Sequence, residues 1–221
     1  MLAPWYVLCG SGFAGALAGL ASWSWASAIL RRPLSGKLLL AACGALLWAV
    51  IVCRFGLSLQ AAELCLLNVA LLTLSLTDVS ELLIPNECLV AAIAVRLAYI
   101  VLAPLFGAGS MATLASFSLV GAIAGLVPML ALTLIMDRVL GRESMGGGDI
   151  KLLAVGGMFV GWKLLAPLLL VACFGGLATS VLQASTDQEG LQPFPFGPAI
   201  AASLVLMCLV GPWVERALLL A

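Results

Sequence analysis

The chain has 221 residues, ten basic and ten acidic side chains and no histidine, so its formal net charge is zero. It is 64% hydrophobic and only 9% charged, where water-soluble domains carry about 25% charged residues. This excludes a soluble domain, offers no basic surface to nucleic acid, and removes the commonest general base and metal ligand.

Charge-free runs cover 1–30, 38–53, 97–136, 164–186 and 190–214. They are continuously apolar rather than alternating with period two, which favours spanning helices over a β-barrel. Eight hydrophobic segments are predicted, over 5–29, 38–53, 61–77, 87–105, 111–136, 150–161, 164–182 and 198–214, with the second short and the sixth very short. The expected fold is an all-α polytopic bundle in the lipid bilayer, a single domain over 1–221 with brief loops.

The first segment has no basic residues before it and is followed by Arg31 and Arg32. That pattern predicts a retained helix with its N-terminus outside, not a cleaved signal. Gly12, Gly15 and Gly19 give it a small-residue face for helix packing. Trp5, Trp23, Trp25, Trp162 and Trp213 fall near segment ends, as an aromatic belt does. The seven cysteines lie in or beside apolar runs without any Cys-x-x-Cys, and read as small buried hydrophobes.

With the N-terminus outside, the inner loops and their boundaries carry Arg31, Arg32, Lys37, Arg138, Arg142 and Lys151. The outer face carries Arg54, Lys163 and Arg216. Six against three supports this orientation. Arg96, mid-way along the fourth segment, needs a partner or water, because a central arginine costs roughly 2.5–3.5 kcal/mol to insert. An acid such as Asp78 is one candidate, and structural pairing or snorkelling is the commoner outcome.

Asp78 closes the third segment, and Ile84-Pro85-Asn86 opens the fourth with a proline start signal. Asp149 opens the sixth segment after Gly146-Gly147-Gly148 and is followed by Lys151. Two crossings separate the acids, so both reach the same face. Glycines tolerate positive φ and close approach, and a helix N-terminus with Lys151 nearby favours an ionised Asp149. An N-cap aspartate after a loop is the plain alternative. No strand precedes the glycines, so a phosphate loop is disfavoured. Glu81, Glu87, Asp187 and Glu189 read as solvated loop acids.

These residues carry a resemblance. Asp78 with Ile84-Pro85 resembles the first signature of type IV prepilin peptidases, and Gly141 to Ala154, with Gly146-Gly147-Gly148-Asp149, resembles the second. Pro195-Phe196-Gly197-Pro198 is similar to a third family stretch before the last helix. The resemblance covers most of 50–215.

It implies a membrane aspartic endopeptidase of the bacterial inner membrane, in a type IV pilus or type II secretion system. Asp78 and Asp149 would be catalytic at the cytoplasmic face. The substrate would be a pilin-like precursor with a basic leader and a hydrophobic helix. Gly146, Gly147, Gly148, Lys151, Pro195, Phe196, Gly197 and Pro198 would position it, with no metal or organic cofactor. Bifunctional members carry paired Cys-x-x-Cys motifs in the loop after the first helix. Here that loop is Arg31-Arg32-Pro33-Leu34-Ser35-Gly36-Lys37, which speaks against methyl transfer. The competing classes are a small proton-coupled transporter, whose acids would line a path across the membrane, and a non-catalytic assembly factor.

Overall fold

The computed structural model describes residues 4–141, 145–184 and 195–220. Arg142, Glu143 and Ser144 of the second signature, and Asp187 and Glu189, lie outside them. Eight α-helices follow one another: α1 (Trp5–Leu30), α2 (Lys37–Phe55), α3 (Leu59–Glu81), α4 (Asn86–Leu102), α5 (Met111–Leu140), α6 (Gly147–Val160), α7 (Leu165–Ala184) and α8 (Gly197–Leu220). Single 3₁₀ turns, Ala103–Phe106 and Trp162–Leu164, extend α4 and precede α7. No strand occurs among the described residues, and every predicted segment is a helix.

Seven of the helices are long and apolar enough to cross a membrane, and the chain is a multi-pass membrane protein. The exception is α6. Its 14 residues rise about 21 Å, short of the ~30 Å hydrocarbon core.

Helix ends follow local chemistry. The Ser58 and Ser110 hydroxyls accept from the N–H groups of Ala61 and Thr113 at 3.1 and 3.2 Å, capping α3 and α5. At the other end of α3, Leu82 adopts a left-handed conformation with φ 54° and donates its N–H to the Asp78 carbonyl. Leucine is seldom found there, because its Cβ is crowded at positive φ.

The centre of the bundle is α3. Over half of its spanning window is buried, against 17–39% for the other spans. It packs against α1, α2, α4 and α8, while α6 lies against α4, α5 and α8. Large side chains such as Leu46, Leu66, Ile123 and Leu170 point outward, which suits a surface solvated by lipid.

Two helix pairs approach so closely that only glycine fits. A Cβ on Gly15, Gly19 or Gly44 would run into the backbone of the partner helix in the α1–α2 pair, and Gly121, Gly125 and Gly157 play the same part between α5 and α6. Gly12, expected on the same face, has only a distant neighbour on α2.

Arg96 does not pair with Asp78. Its Nη1 meets Glu63 Oε1 at 2.9 Å and its Nε donates to Ser118 Oγ at 2.8 Å. The rings of Tyr99, Phe117 and Phe159 lie 5.4, 5.8 and 5.5 Å from the guanidinium. Glu63 is near the start of α3 and Asp78 near its end, so the ion pair and the acid occupy opposite ends of one helix. A cavity of about 360 Å³ opens beside the pair.

Candidate active site

Asp78 occupies the last turn of α3 and is 5% exposed. Its Oδ2 accepts a hydrogen bond of 2.8 Å from the backbone N–H of Gly197, the first residue of α8. The C-terminal end of a helix carries partial negative charge and the N-terminal end partial positive charge. The opening of α8 therefore supplies a donor to a carboxyl that its own helix would leave without one. Glycine is required for the approach. A Cβ on residue 197 would lie 2.8 Å from Asp78 Oδ2 and 3.1 Å from its Cγ.

Asp149 lies in the first turn of α6, with its N–H bonded to the Gly146 carbonyl at 3.1 Å. Its Oδ1 is buried and finds no hydrogen-bond partner among the described residues. Burial, and after it the charge of Asp78, pushes the Asp149 carboxyl up to about 6. The carboxyl therefore gives up its proton less readily than a helix N-terminus with a nearby lysine suggests. Desolvation outweighs the helix N-terminus, and Lys151 turns away, its Nζ donating to Asn86 Oδ1 at 3.2 Å.

Of the two properties expected of the glycine run, positive φ and close approach, the structure uses the second. Gly147 and Gly148 are the first residues of α6, and none of the three adopts positive φ. What they allow is proximity. A Cβ on Gly148 would lie 2.9 Å from Ile84 Cβ, and one on Gly146 would lie 3.3 Å from Asp149 Oδ2. Gly147 faces open space, and nothing in the structure explains its identity.

The three signature stretches thus meet at one end of the bundle. Ile84 packs on Gly148, Asn86 holds Lys151, and Gly197 holds Asp78. The Phe196 carbonyl receives the N–H groups of Ala199 and Ile200 at 3.1 and 3.2 Å, opening α8. Pro198 lines a groove between α2, α3 and α8, while Pro195 and Phe196 are half-buried. Arg32 reaches the same end. It pairs with Glu81 at 2.6 Å and donates to the Ser80 carbonyl at 3.3 Å, so Glu81 is not a merely solvated acid. Sequence reasoning passed over Glu63 and Asn68, yet each is a polar residue inside an apolar run and is buried.

The charge of Asp78 is felt at the Asp149 carboxyl, second to burial, so the two acids belong to one site. Fold and site together define a polytopic membrane protein with a carboxyl pair at one end of its bundle. Comparison with known proteins narrows this class. The model of the type IV leader peptidase family matches residues 65–181, which include both acids, and the chain belongs to that family.

A second model, bacterial export proteins, family 3, matches 150–220, a smaller stretch that overlaps the first. The chain is 33% identical to a prepilin leader peptidase/N-methyltransferase of Stutzerimonas stutzeri over 72% of its own length and 53% of the relative. It is 31% identical to the protein of that name in Pseudomonas aeruginosa, over 78% and 57%. For the Bacillus subtilis protein of that name the identity is 33%, over 76% and 63%. The chain thus spans a little over half the length of these relatives. No solved structure matches it.

Proposed function

We propose that this protein is an aspartic endopeptidase of a bacterial inner membrane. It removes the basic leader from pilin-like precursors at the cytoplasmic face, and residues 1–221 act as one peptidase domain. The observation that carries the reading is the meeting of the three signature stretches at one end of the bundle, where Gly197 holds Asp78 and Ile84 packs on Gly148 beside Asp149. Together the pair holds one proton, residing on Asp149. The ionised Asp78, oriented by the Gly197 N–H, takes a proton from water as the water oxygen attacks the scissile carbonyl. Asp149 gives its proton to the carbonyl oxygen. When the tetrahedral intermediate collapses, the C–N bond breaks and the proton held by Asp78 passes to the leaving amine. The hydroxyl proton returns to Asp149.

This chemistry needs no metal and no organic cofactor. Gly146, Gly147, Gly148 and Lys151, with Pro195, Phe196, Gly197 and Pro198, belong to the stretches that would position the extended substrate. The loop between α1 and α2 has no cysteine pairs, and the reading does not include methyl transfer. A proton relay across the membrane is less well supported. The other buried acid with a partner, Glu63, is already neutralised by Arg96 at the far end of α3. Cleavage of membrane-inserted precursors by Asp78→Asn and Asp149→Asn variants tests the proposal. Each is expected to abolish cleavage while leaving insertion intact, and strong residual activity in either would exclude the two-carboxyl mechanism.

A further inference from the structure

The groove lined by Pro198 has a volume of about 310 Å³ and runs between α2, α3 and α8, open toward lipid. Its upper end lies within a helical turn of Asp78. Pro198 follows Gly197, and Ser75 lies one turn before Asp78. From Ser75 to Asn68 it descends about 5 to 15 Å along α3 from the level of Asp78, at 1.5 Å per residue. Cys43, Ser75, Ala201 and Ala202 keep its walls low, as surfaces do where a second helix comes close.

At the lower end sits Asn68, 1% exposed. Neither its Oδ1 nor its Nδ2 has a hydrogen-bond partner among the described residues. A bare amide at membrane depth is costly, and an acyl chain has nothing to offer it. A peptide helix does, through a small polar side chain or a backbone carbonyl freed by one.

Resting on the peptidase reading, we propose that this groove is the docking site for the hydrophobic helix of the precursor. The helix lies along α3 and α8, and Asn68 pairs with a polar group about ten residues beyond the scissile bond. Continuity with the carboxyl pair selects this occupant. A helix held here presents the peptide just before its first turn to Asp78 and Asp149. The apolar groove between α4, α5 and α6, lined by Val90 and Leu126, also opens outward but has no such unpaired amide among the described residues.

The test is photocrosslinking in membranes. Benzoylphenylalanine is placed at Leu72, inside the groove, or at Val90, outside it, in the Asp149→Asn background with an uncleaved precursor. Leu72 is six residues before Asp78, so its adduct is expected about six residues past the cut, and Val90 should give none. Adducts at Val90 but not Leu72, or Leu72 adducts only to lipid or to a second copy of this chain, would overturn the proposal.

A kinetic arm uses Ala202→Trp, which fills the groove from an exposed position. The preference for the full precursor over a peptide ending just past the cut should fall about tenfold, and several-fold for Asn68→Leu. An unchanged preference in both also overturns it. Failure of the unsubstituted protein to cleave any precursor would remove the peptidase reading alone, because the crosslink still reports where the helix sits.

Discussion

Gly197 donates its backbone N–H to Asp78 Oδ2 at 2.8 Å across 119 residues of sequence. The bond joins the start of the last helix to the end of the central one, and it leaves no room for a side chain. Gly197→Ala should therefore displace α8 or turn the Asp78 carboxyl. We expect kcat to fall about 100-fold with KM changed much less, a split that steady-state cleavage of one precursor resolves. Loss of a single oriented donor elsewhere costs about this much.

The Asp149 carboxyl, pushed up to about 6, predicts a pH dependence of activity. The pair loses its shared proton as pH rises through that value, so kcat/KM should decline on the alkaline side. In Asp78→Asn the neighbouring charge is gone while burial remains. Titration of Asp149 by infrared difference spectroscopy should then show a lower midpoint, still above that of an ordinary carboxylate. A midpoint unmoved by the substitution would mean that the two acids do not interact.

The same group predicts a stability difference. A carboxyl whose folded pKa is raised favours the fold while protonated, and that contribution is lost as pH rises through the folded value. The thermal stability of Asp149→Asn in detergent should therefore gain on the unsubstituted protein between about pH 4 and pH 6 and level off above. The gain should be absent below pH 4.

Gly148 and Ile84 touch where α6 opens against the α3–α4 turn. Gly148→Ala should cost roughly 1–3 kcal/mol by overpacking and slow cleavage. Ile84→Ala in the same chain should restore part of both. A double-mutant cycle in which the two changes simply add would show that the contact is not the reason for the glycine.

At the other end of α3, Glu63→Gln leaves the Arg96 guanidinium buried without its counter-charge. A loss of roughly 3–5 kcal/mol is expected for breaking such a pair from one side. Glu63→Gln with Arg96→Met should be less damaging than Glu63→Gln alone. The kcat of the remaining folded protein should change little, because this pair lies far from Asp78.

Much of this arrangement was legible in the residues. The parity of crossings between Asp78 and Asp149 placed them at one end, and the continuous apolar runs gave eight helices. The upward shift of the Asp149 carboxyl was not legible. A helix N-terminus and a neighbouring lysine both argue for a charge, and only the packed structure shows that burial exceeds them and that Lys151 bonds Asn86. The partner of Arg96 was equally hidden, because nothing in the residues alone tells that Glu63 of α3 faces Arg96 of α4. The Gly146–Gly148 run left positive φ and close approach both open, since sequence alone cannot distinguish a need for the one from a need for the other.

Fastened at both poles, α3 behaves as a strut. Glu63 is pinned by Arg96 and Asp78 by Gly197, and the fifteen residue steps from one to the other set a height of about 22 Å. That height belongs to the protein and not to the bilayer. A membrane that thickens or thins slides along the outside of the bundle, while the carboxyl stays at a fixed distance from its anchor at the far end.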